Sequence, residues 1–78
     1  MEKRGFGASD YSSVIFEDIV DYATVWELYE SLRGGPEKKV ARVTYWDALG
    51  QYYVETLGEA VVPADVIIEL IAEARRLD

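Results

Sequence analysis

The sequence contains no cysteine and no histidine. Without cysteine the chain has no disulfide and no thiolate metal site, and without histidine it lacks the commonest metal ligand and the ordinary general base. Ser12 and Ser13 have no identifiable base partner for a nucleophilic role. The Gly-rich segment 34–38 lacks the length and the Ser or Thr of a phosphate loop. We therefore expect no enzyme activity, no catalytic residue, no cofactor and no bound metal.

Long apolar runs are also missing. No segment approaches the roughly 18 to 20 apolar residues of a membrane span, and residues 1–10 lack the apolar core of a signal peptide. These absences predict a protein that stays out of membranes and resides in the cytoplasm. At 78 residues the chain suffices for one domain and is too short for two, and its 50% hydrophobic content suits a folded core.

Basic residues are few and unevenly placed. Fifteen acidic residues against 8 basic ones give a formal net charge of −7. No Lys or Arg lies between Gly5 and Leu32, or between Val43 and Ala74, and each of these stretches contains six acids. Such a chain is repelled by nucleic acid and by anionic membranes and is steered toward basic surfaces. The simpler interpretation is that the acidity only keeps a small protein soluble.

The first half of the chain predicts a strand followed by a helix. Residues 1–10, with two Gly and mixed charge, are expected to form a flexible N-terminal arm, and residues 11–78 a single domain. Ser12 to Glu17 is rich in β-branched and aromatic residues and favours a strand. Thr24 and Glu27 have the spacing of a capping box, which predicts a helix from Val25 to about Arg33. Helical spacing of apolar residues also allows one long helix over 11–33.

The second half predicts a hairpin and a final helix. The segments 40–46 and 51–57 are rich in strand formers, and the residues between them have turn chemistry that ends in Gly50. Pro63 suits a first helical turn, and apolar residues from Ile67 to Leu77 then recur at helical spacing. The predicted fold is α+β, a small three-stranded sheet with two helices in the order β-α-β-β-α.

Two groups of carboxylates are candidate partner-binding residues. Asp65, Glu69 and Glu73 follow each other at i, i+4, i+8 on the last predicted helix, where like charges cost stability and so invite a functional interpretation. A solvated helix face is the simpler alternative. The other group lies in the first base-free stretch. Its members are Glu17, Asp18, Asp21, Glu27 and Glu30. Their spacing matches no cation-binding loop, so we expect acidic surface and not a metal site.

The hairpin supplies four candidate interface aromatics: Tyr45, Trp46, Tyr52 and Tyr53. Because side chains alternate across a strand, one aromatic of each adjacent pair is expected to face the helices and the other the open side of the sheet. Exposed Tyr and Trp are enriched in protein interfaces, so these residues also suit the seam of a homodimer.

The last third of the chain resembles a known family. Tyr53, Glu55, Gly58, Val62-Pro63, Val66, Glu69, Ala72, Ala74 and Leu77 are similar to the C-terminal run of one acidic type I anti-CRISPR family, with a one-residue difference between the Gly and the Pro. Anti-CRISPR proteins are small phage-encoded inhibitors, and several mimic nucleic acid and block the basic DNA-binding face of a CRISPR surveillance complex. The resemblance implies such an inhibitor, acting in the cytoplasm of a bacterial host.

Together these features predict a small acidic protein that binds the basic surface of a nucleic-acid-binding protein or complex. It would mimic nucleic acid and would not bind nucleic acid itself. The alternative is a homodimeric structural or interaction subunit with the aromatic hairpin as its interface.

Overall fold

The computed structural model describes residues 1–32 and 34–76. Five strands and one helix follow each other along the chain: β1 (Arg4–Phe6), β2 (Ser9–Asp18), β3 (Ala23–Leu32), β4 (Lys38–Trp46), β5 (Gln51–Thr56) and α1 (Ala64–Arg76). The strands form one sheet in the order β1-β2-β3-β4-β5, and each neighbouring pair is antiparallel. The sheet is therefore a simple meander, and α1 packs across one of its faces.

The helix seals its side of the sheet with a narrow apolar stripe. Pro63 precedes α1 and its carbonyl accepts a hydrogen bond from Val66 N–H at 3.0 Å. Val66, Leu70 and Ala74 are fully buried, and they form one cluster with buried strand residues. The strand members are Tyr11, Trp26, Leu28, Val40, Ala41 and Val43. The predicted C-terminal helix is confirmed, although Leu77 of the predicted stripe lies outside the described residues.

A β-bulge in β4 adds one residue to this core. Leu28 pairs with Ala41 and Tyr29 with Lys39, so Val40 is the extra residue opposite β3. Val40 and Ala41 are both buried in the core cluster. The bulge lets two adjacent residues of one strand contribute to the same core, which strict alternation would prevent.

The predicted hairpin is confirmed. β4 and β5 pair from Ala41↔Thr56 to Trp46↔Gln51, and Gly50 takes a positive φ of 64° in the turn between them. Because this turn uses local chemistry, the sequence alone was enough to locate it.

The predicted order β-α-β-β-α is wrong, because the segment assigned to the first helix is the strand β3. Val25 and Leu28 fit a helical stripe in sequence, but β3 is the central strand and buries residues on both faces, so the period-two pattern of a half-buried strand is absent. Thr24 and Glu27 form no capping box, since both lie within the ladder with β2 and β4. Pairing on both sides outweighs the weak local preference for helix. The expected helix end at Arg33 falls outside the described residues.

The N-terminal residues belong to the sheet. The segment 1–10, predicted as a flexible arm, contains β1 and the first two residues of β2, with Arg4 opposite Tyr11 and Phe6 opposite Ser9. Ser13 N–H also donates to the carbonyl of Met1 at 3.0 Å. None of the helices within the described ranges is long and apolar enough to cross a membrane.

Candidate functional site

The face of the sheet opposite α1 has no second layer over it in the described part of the chain, and we call it the open face. Strand alternation places Phe16, Val25, Thr44 and Tyr53 there in one row across β2 to β5. Phe16 is 43% exposed and Tyr53 is 46% exposed, whereas Val25 between them is 5% exposed. The large outer side chains therefore shelter a small one, and the apolar surface continues across the face.

These side chains enclose a shallow hollow of about 830 Å³. Its floor is made by small residues of the inner strands, Ala23, Val25 and Thr44. Its walls are aromatic, with Phe16 on one side and Trp46 and Tyr53 on the other. Three carboxylates also line the hollow, and they are Asp18, Asp21 and Glu55.

Acidic groups dominate the charge of the hollow. Arg42 is the one base among the described lining residues, and its Nη2 lies 3.6 Å from Glu27 Oε2. Glu55 stands directly across the ladder from Arg42. The Nε of Arg42 is buried without a hydrogen-bond partner in the described structure. The guanidinium is thus flanked by two carboxylates and does not make the hollow basic.

Glu27 anchors the polar part of the open face. Its Oε2 accepts a hydrogen bond from Lys39 Nζ at 2.6 Å, in addition to the contact with Arg42. The hydrogen bond from Lys39 holds the pKa of Glu27 below its usual value, against the opposing effect of burial. This carboxylate is therefore committed to partners within the chain.

Two turns meet at one end of the sheet, beside the hollow. They are the β2–β3 turn (residues 19–22) and the β4–β5 turn (residues 47–50), and Asp47 N–H donates to Tyr22 O at 3.3 Å. We call this region the acidic end, because Glu17, Asp18, Asp21 and Asp47 lie in or next to the two turns and no base does. The acidic end extends the negative rim of the hollow.

The β2–β3 turn is unusual for its apolar side chains. Ile19 and Val20 are 78% and 83% exposed, and Tyr22 takes a left-handed φ of 52°. Asp18 Oδ1 holds this turn by accepting hydrogen bonds from the N–H groups of Val20 and Asp21, at 3.0 and 3.2 Å. Exposed branched residues in a turn without Gly, Asn or Pro have no role in packing this chain, which makes the turn a candidate contact element.

The predicted carboxylate row on the last helix is partly used within the chain. Glu69 forms an ion pair with Arg4, and Glu73 Oε1 lies 3.0 Å from the amino group of Met1. Asp65 is exposed at the start of α1, with no ion pair among those found in the described residues. Two of the three predicted contacts thus attach the N-terminal segment to the helix.

Glu30 is also engaged. It accepts a hydrogen bond from the Tyr11 hydroxyl at 2.6 Å, across the β2–β3 ladder and on the side of α1. Burial, reinforced by the hydrogen bond to the Glu30 carboxylate, raises the pKa of Tyr11 to about 12. The structure therefore does not gather the eight predicted carboxylates on one surface. It brings Asp18 and Asp21 together at the hollow, whereas strand alternation directs Glu17 to the side of α1.

The predicted split of the hairpin aromatics is confirmed. Tyr45 and Tyr52 face α1, with ring centroids 4.9 Å apart, and Arg75 lies over the Tyr52 ring at 5.5 Å. Trp46 and Tyr53 line the hollow on the other face, where Trp46 is 39% exposed. Only one aromatic of each pair is therefore available to a partner on the open face.

Sequence reasoning missed several apolar residues of this region. The sequence pattern predicts Phe16 only as part of a strand and does not identify Ile19, Val20, Tyr22 and Leu49 as exposed. The β-forming run around Phe16 was a usable signal, but its position across from Val25 follows from the register of the sheet. No local pattern reveals that register when the central strand itself is read as a helix.

The arrangement suits the binding of a cationic side chain. Within the described ranges no cluster of three or more acidic side chains has the geometry to hold a metal ion. An apolar floor, aromatic walls and a carboxylate rim are complementary to a side chain with an aliphatic or planar body and a cationic end. The chain matches no protein-family model, and comparisons with curated proteins and with solved structures found no match.

Proposed function

We propose that this protein is a small acidic binding protein that inhibits a nucleic-acid-binding partner by occupying that partner's basic surface, with the hollow and the acidic end as its docking site. The single observation that carries the proposal is the hollow itself, an apolar and aromatic depression rimmed by Asp18, Asp21 and Glu55. Surfaces that contact phosphates are built largely from Arg and Lys, which are the side chains this depression fits.

Arg is the best match for the hollow. A guanidinium can stack on Trp46 or Tyr53 and interact with a neighbouring carboxylate, while its methylene groups cover the apolar floor. Because the hollow is partly sheltered from water, each such contact is worth more than the same pair on a flat surface. An anionic ligand would meet the carboxylates first and is disfavoured.

The acidic end adds long-range attraction. Asp18 and Asp21 line the hollow, Asp47 lies in the adjacent turn, and a net charge of −7 steers the whole protein toward basic surfaces. The same charge repels nucleic acid, so the protein would compete with nucleic acid and would not bind it. This proposal retains the anti-CRISPR-type resemblance and the cytoplasmic location as expectations.

A short oligoarginine peptide is a defined probe of the site. Trp46 reports on the hollow because it lines it, whereas Trp26 is buried on the other side of the sheet. Titration with the peptide should change the fluorescence of Trp46, and the change should be absent in Trp46→Phe. Raising the salt concentration should weaken the binding, since charges attract the peptide. A fluorescence response that is unaffected by Trp46→Phe would contradict docking in the hollow.

A charge-matched pair of variants separates the hollow from bulk acidity. The test variant combines Asp18→Asn, Asp21→Asn and Glu55→Gln, and Asn at position 18 keeps an oxygen that can accept the turn hydrogen bonds. The control neutralises three exposed carboxylates away from the hollow: Glu37→Gln, Glu59→Gln and Asp65→Asn. We expect the test variant to bind about tenfold more weakly than the control, which corresponds to about 1.4 kcal/mol. Equal weakening would show that only net charge matters.

The inhibitory part of the proposal has its own test. A complex of the oligoarginine peptide with a short DNA duplex is formed first, and the protein is then added. Release of the duplex, monitored by the anisotropy of a label on the DNA, is expected for the wild type and should be reduced for the hollow variant. If the peptide binds the hollow and the duplex is not released, the protein is a binder of basic segments and not an inhibitor of nucleic-acid binding.

A further inference from the structure

The two edges of the sheet differ in how they are protected. β1 forms one edge with three residues, including Arg4 and Gly5, and it follows Lys3. A short, basic and Gly-containing edge strand is a poor template for another strand. β5 forms the other edge with six residues, Gln51 to Thr56, and contains no Lys, Arg or Pro. Its pairing with β4 shows no register shift, so no bulge interrupts the edge.

No other described segment covers the edge of β5. Val54, on the side of α1, remains 47% exposed, and Tyr53 on the open face is 46% exposed. Leu57 N–H donates to Val40 O at 3.0 Å, which fixes the alternation of hydrogen-bonded pairs along β4 and β5. By that alternation, Val54 and Thr56 direct their backbone N–H and C=O groups away from β4. No backbone hydrogen bond from another described segment reaches either residue.

We propose that the β5 edge is a self-association site, at which two copies of this chain pair their β5 strands antiparallel and form one continuous sheet. This inference goes beyond the docking of a basic partner and does not depend on it. It also gives a geometric basis to the predicted homodimer, because the seam is an edge of the aromatic hairpin.

The strand is complementary to itself in one register. A two-fold axis at Val54 places each Val54 opposite its counterpart, where the outward backbone groups of both can exchange hydrogen bonds. Tyr53 then faces Glu55 of the second copy, and Tyr52 faces Thr56. No like charges stand directly opposite each other, whereas a register centred on Glu55 would oppose two carboxylates. The chemistry of the strand therefore favours a second copy as the occupant of this edge.

The net charge of the chain predicts how the dimer should respond to salt. Two molecules that each carry a net charge of −7 repel each other, so screening should strengthen the dimer. Binding of an oligoarginine peptide should respond in the opposite direction. The two proposals can thus fail independently, and the same salt series distinguishes them.

Sedimentation velocity over a range of protein concentrations tests the inference on the full chain. The wild type should shift with concentration toward twice its 8.8 kDa mass, and more readily at higher salt. Val54→Lys should abolish the shift, because it places two ammonium groups opposite each other at the centre of the seam. Ile68→Lys is the matched control: it puts the same charge at another exposed apolar position, on α1, and should leave the dimer intact.

Hydrogen exchange shows which amides the dimer protects. The N–H groups of Val54 and Thr56 should become protected as the concentration rises, while those of β1 do not change. Val54→Pro removes the central donor without removing a bond to β4, and should give a folded monomer by circular dichroism. A wild type that stays monomeric at every concentration and salt level overturns the inference. So does a dimer that persists in folded Val54→Lys.

Discussion

The side of the sheet under α1 and the open face are built from similar side chains, but these side chains differ in how much of their surface is exposed. Under α1, Leu28 and Val43 are completely buried beneath Leu70. On the open face, Phe16 and Tyr53 shelter Val25 but keep nearly half of their own surface exposed. Apolar content therefore does not distinguish the two faces. The difference is that the described part of the chain supplies an amphipathic helix for one side and no such element for the other.

This difference separates residues that hold the fold from residues that are available to a partner. A single helix over a five-stranded sheet gives one core, which is as much as a chain of this size can build. A large apolar face that stays uncovered commonly marks an interaction site. The stability of the protein should thus depend on one face and its binding on the other.

The largest expected effect comes from a matched pair of truncations, one on each face. Leu28→Ala should lower the free energy of unfolding by about 3 kcal/mol, because it leaves a cavity in the sealed core. Phe16→Ala should lower it by about 1 kcal/mol or less, since much of the ring already contacts water. Urea unfolding by far-UV circular dichroism, at low protein concentration, measures both. Equal losses would mean that the open face is also covered in solution.

The pH dependence of stability provides a second test, because among the described residues each face carries a group with a perturbed pKa. On the side of α1, the pKa of Tyr11 is raised to about 12. Because the pKa is raised in the folded state, the neutral hydroxyl contributes fully to the free energy of unfolding below about pH 10, the usual pKa of Tyr. This contribution is lost as the pH rises toward 12. The free energy of unfolding of the wild-type protein should therefore fall by about 2 kcal/mol between pH 10 and pH 12.

Tyr11→Phe should remove most of this alkaline loss. Its urea midpoint should be lower at neutral pH, because Glu30 loses a hydrogen-bond donor, and should change less between pH 10 and 12. Tyr22→Phe is the control, since Tyr22 is exposed in the β2–β3 turn. An alkaline limb that is as steep in Tyr11→Phe as in the wild type would rule out the Tyr11–Glu30 hydrogen bond as its cause.

Sequence reasoning succeeded where the signal is local. The β4–β5 hairpin was located by its strand formers and Gly50, and α1 by Pro63 and its apolar stripe. Strand alternation also predicted that one aromatic of each hairpin pair faces the open side, and the structure identifies these as Trp46 and Tyr53. Each of these features depends on residues close together in the chain.

The rest depends on pairing between distant segments. The sequence of β3 predicts a helix, because a central strand buried on both faces loses the alternation that identifies strands. β1 is three residues long and is held by β2, so its own residues carry almost no strand signal. The hollow needs the order of β2, β3 and β4 to bring Phe16 near Trp46. The ion pairs of the predicted carboxylate row could not be predicted for the same reason, because Arg4 and Glu69 are far apart in the sequence.

The smallest expected effect concerns the open face, where Glu27 is the perturbed group. Its pKa is lowered, chiefly by the hydrogen bond from Lys39. The ionised carboxylate therefore contributes to the free energy of unfolding above the usual Glu pKa of about 4.3, and this contribution is lost as the pH falls through the lowered pKa. Glu27→Gln should cost about 1 kcal/mol at neutral pH and flatten the acid limb of stability. Glu17→Gln, at an exposed carboxylate without an ion pair in the described structure, should cost less than about 0.5 kcal/mol. If Glu27→Gln left the acid limb as steep as in the wild type, the Lys39–Glu27 pair would not stabilise the open face. The hollow would then have to be rigid through its aromatic walls alone.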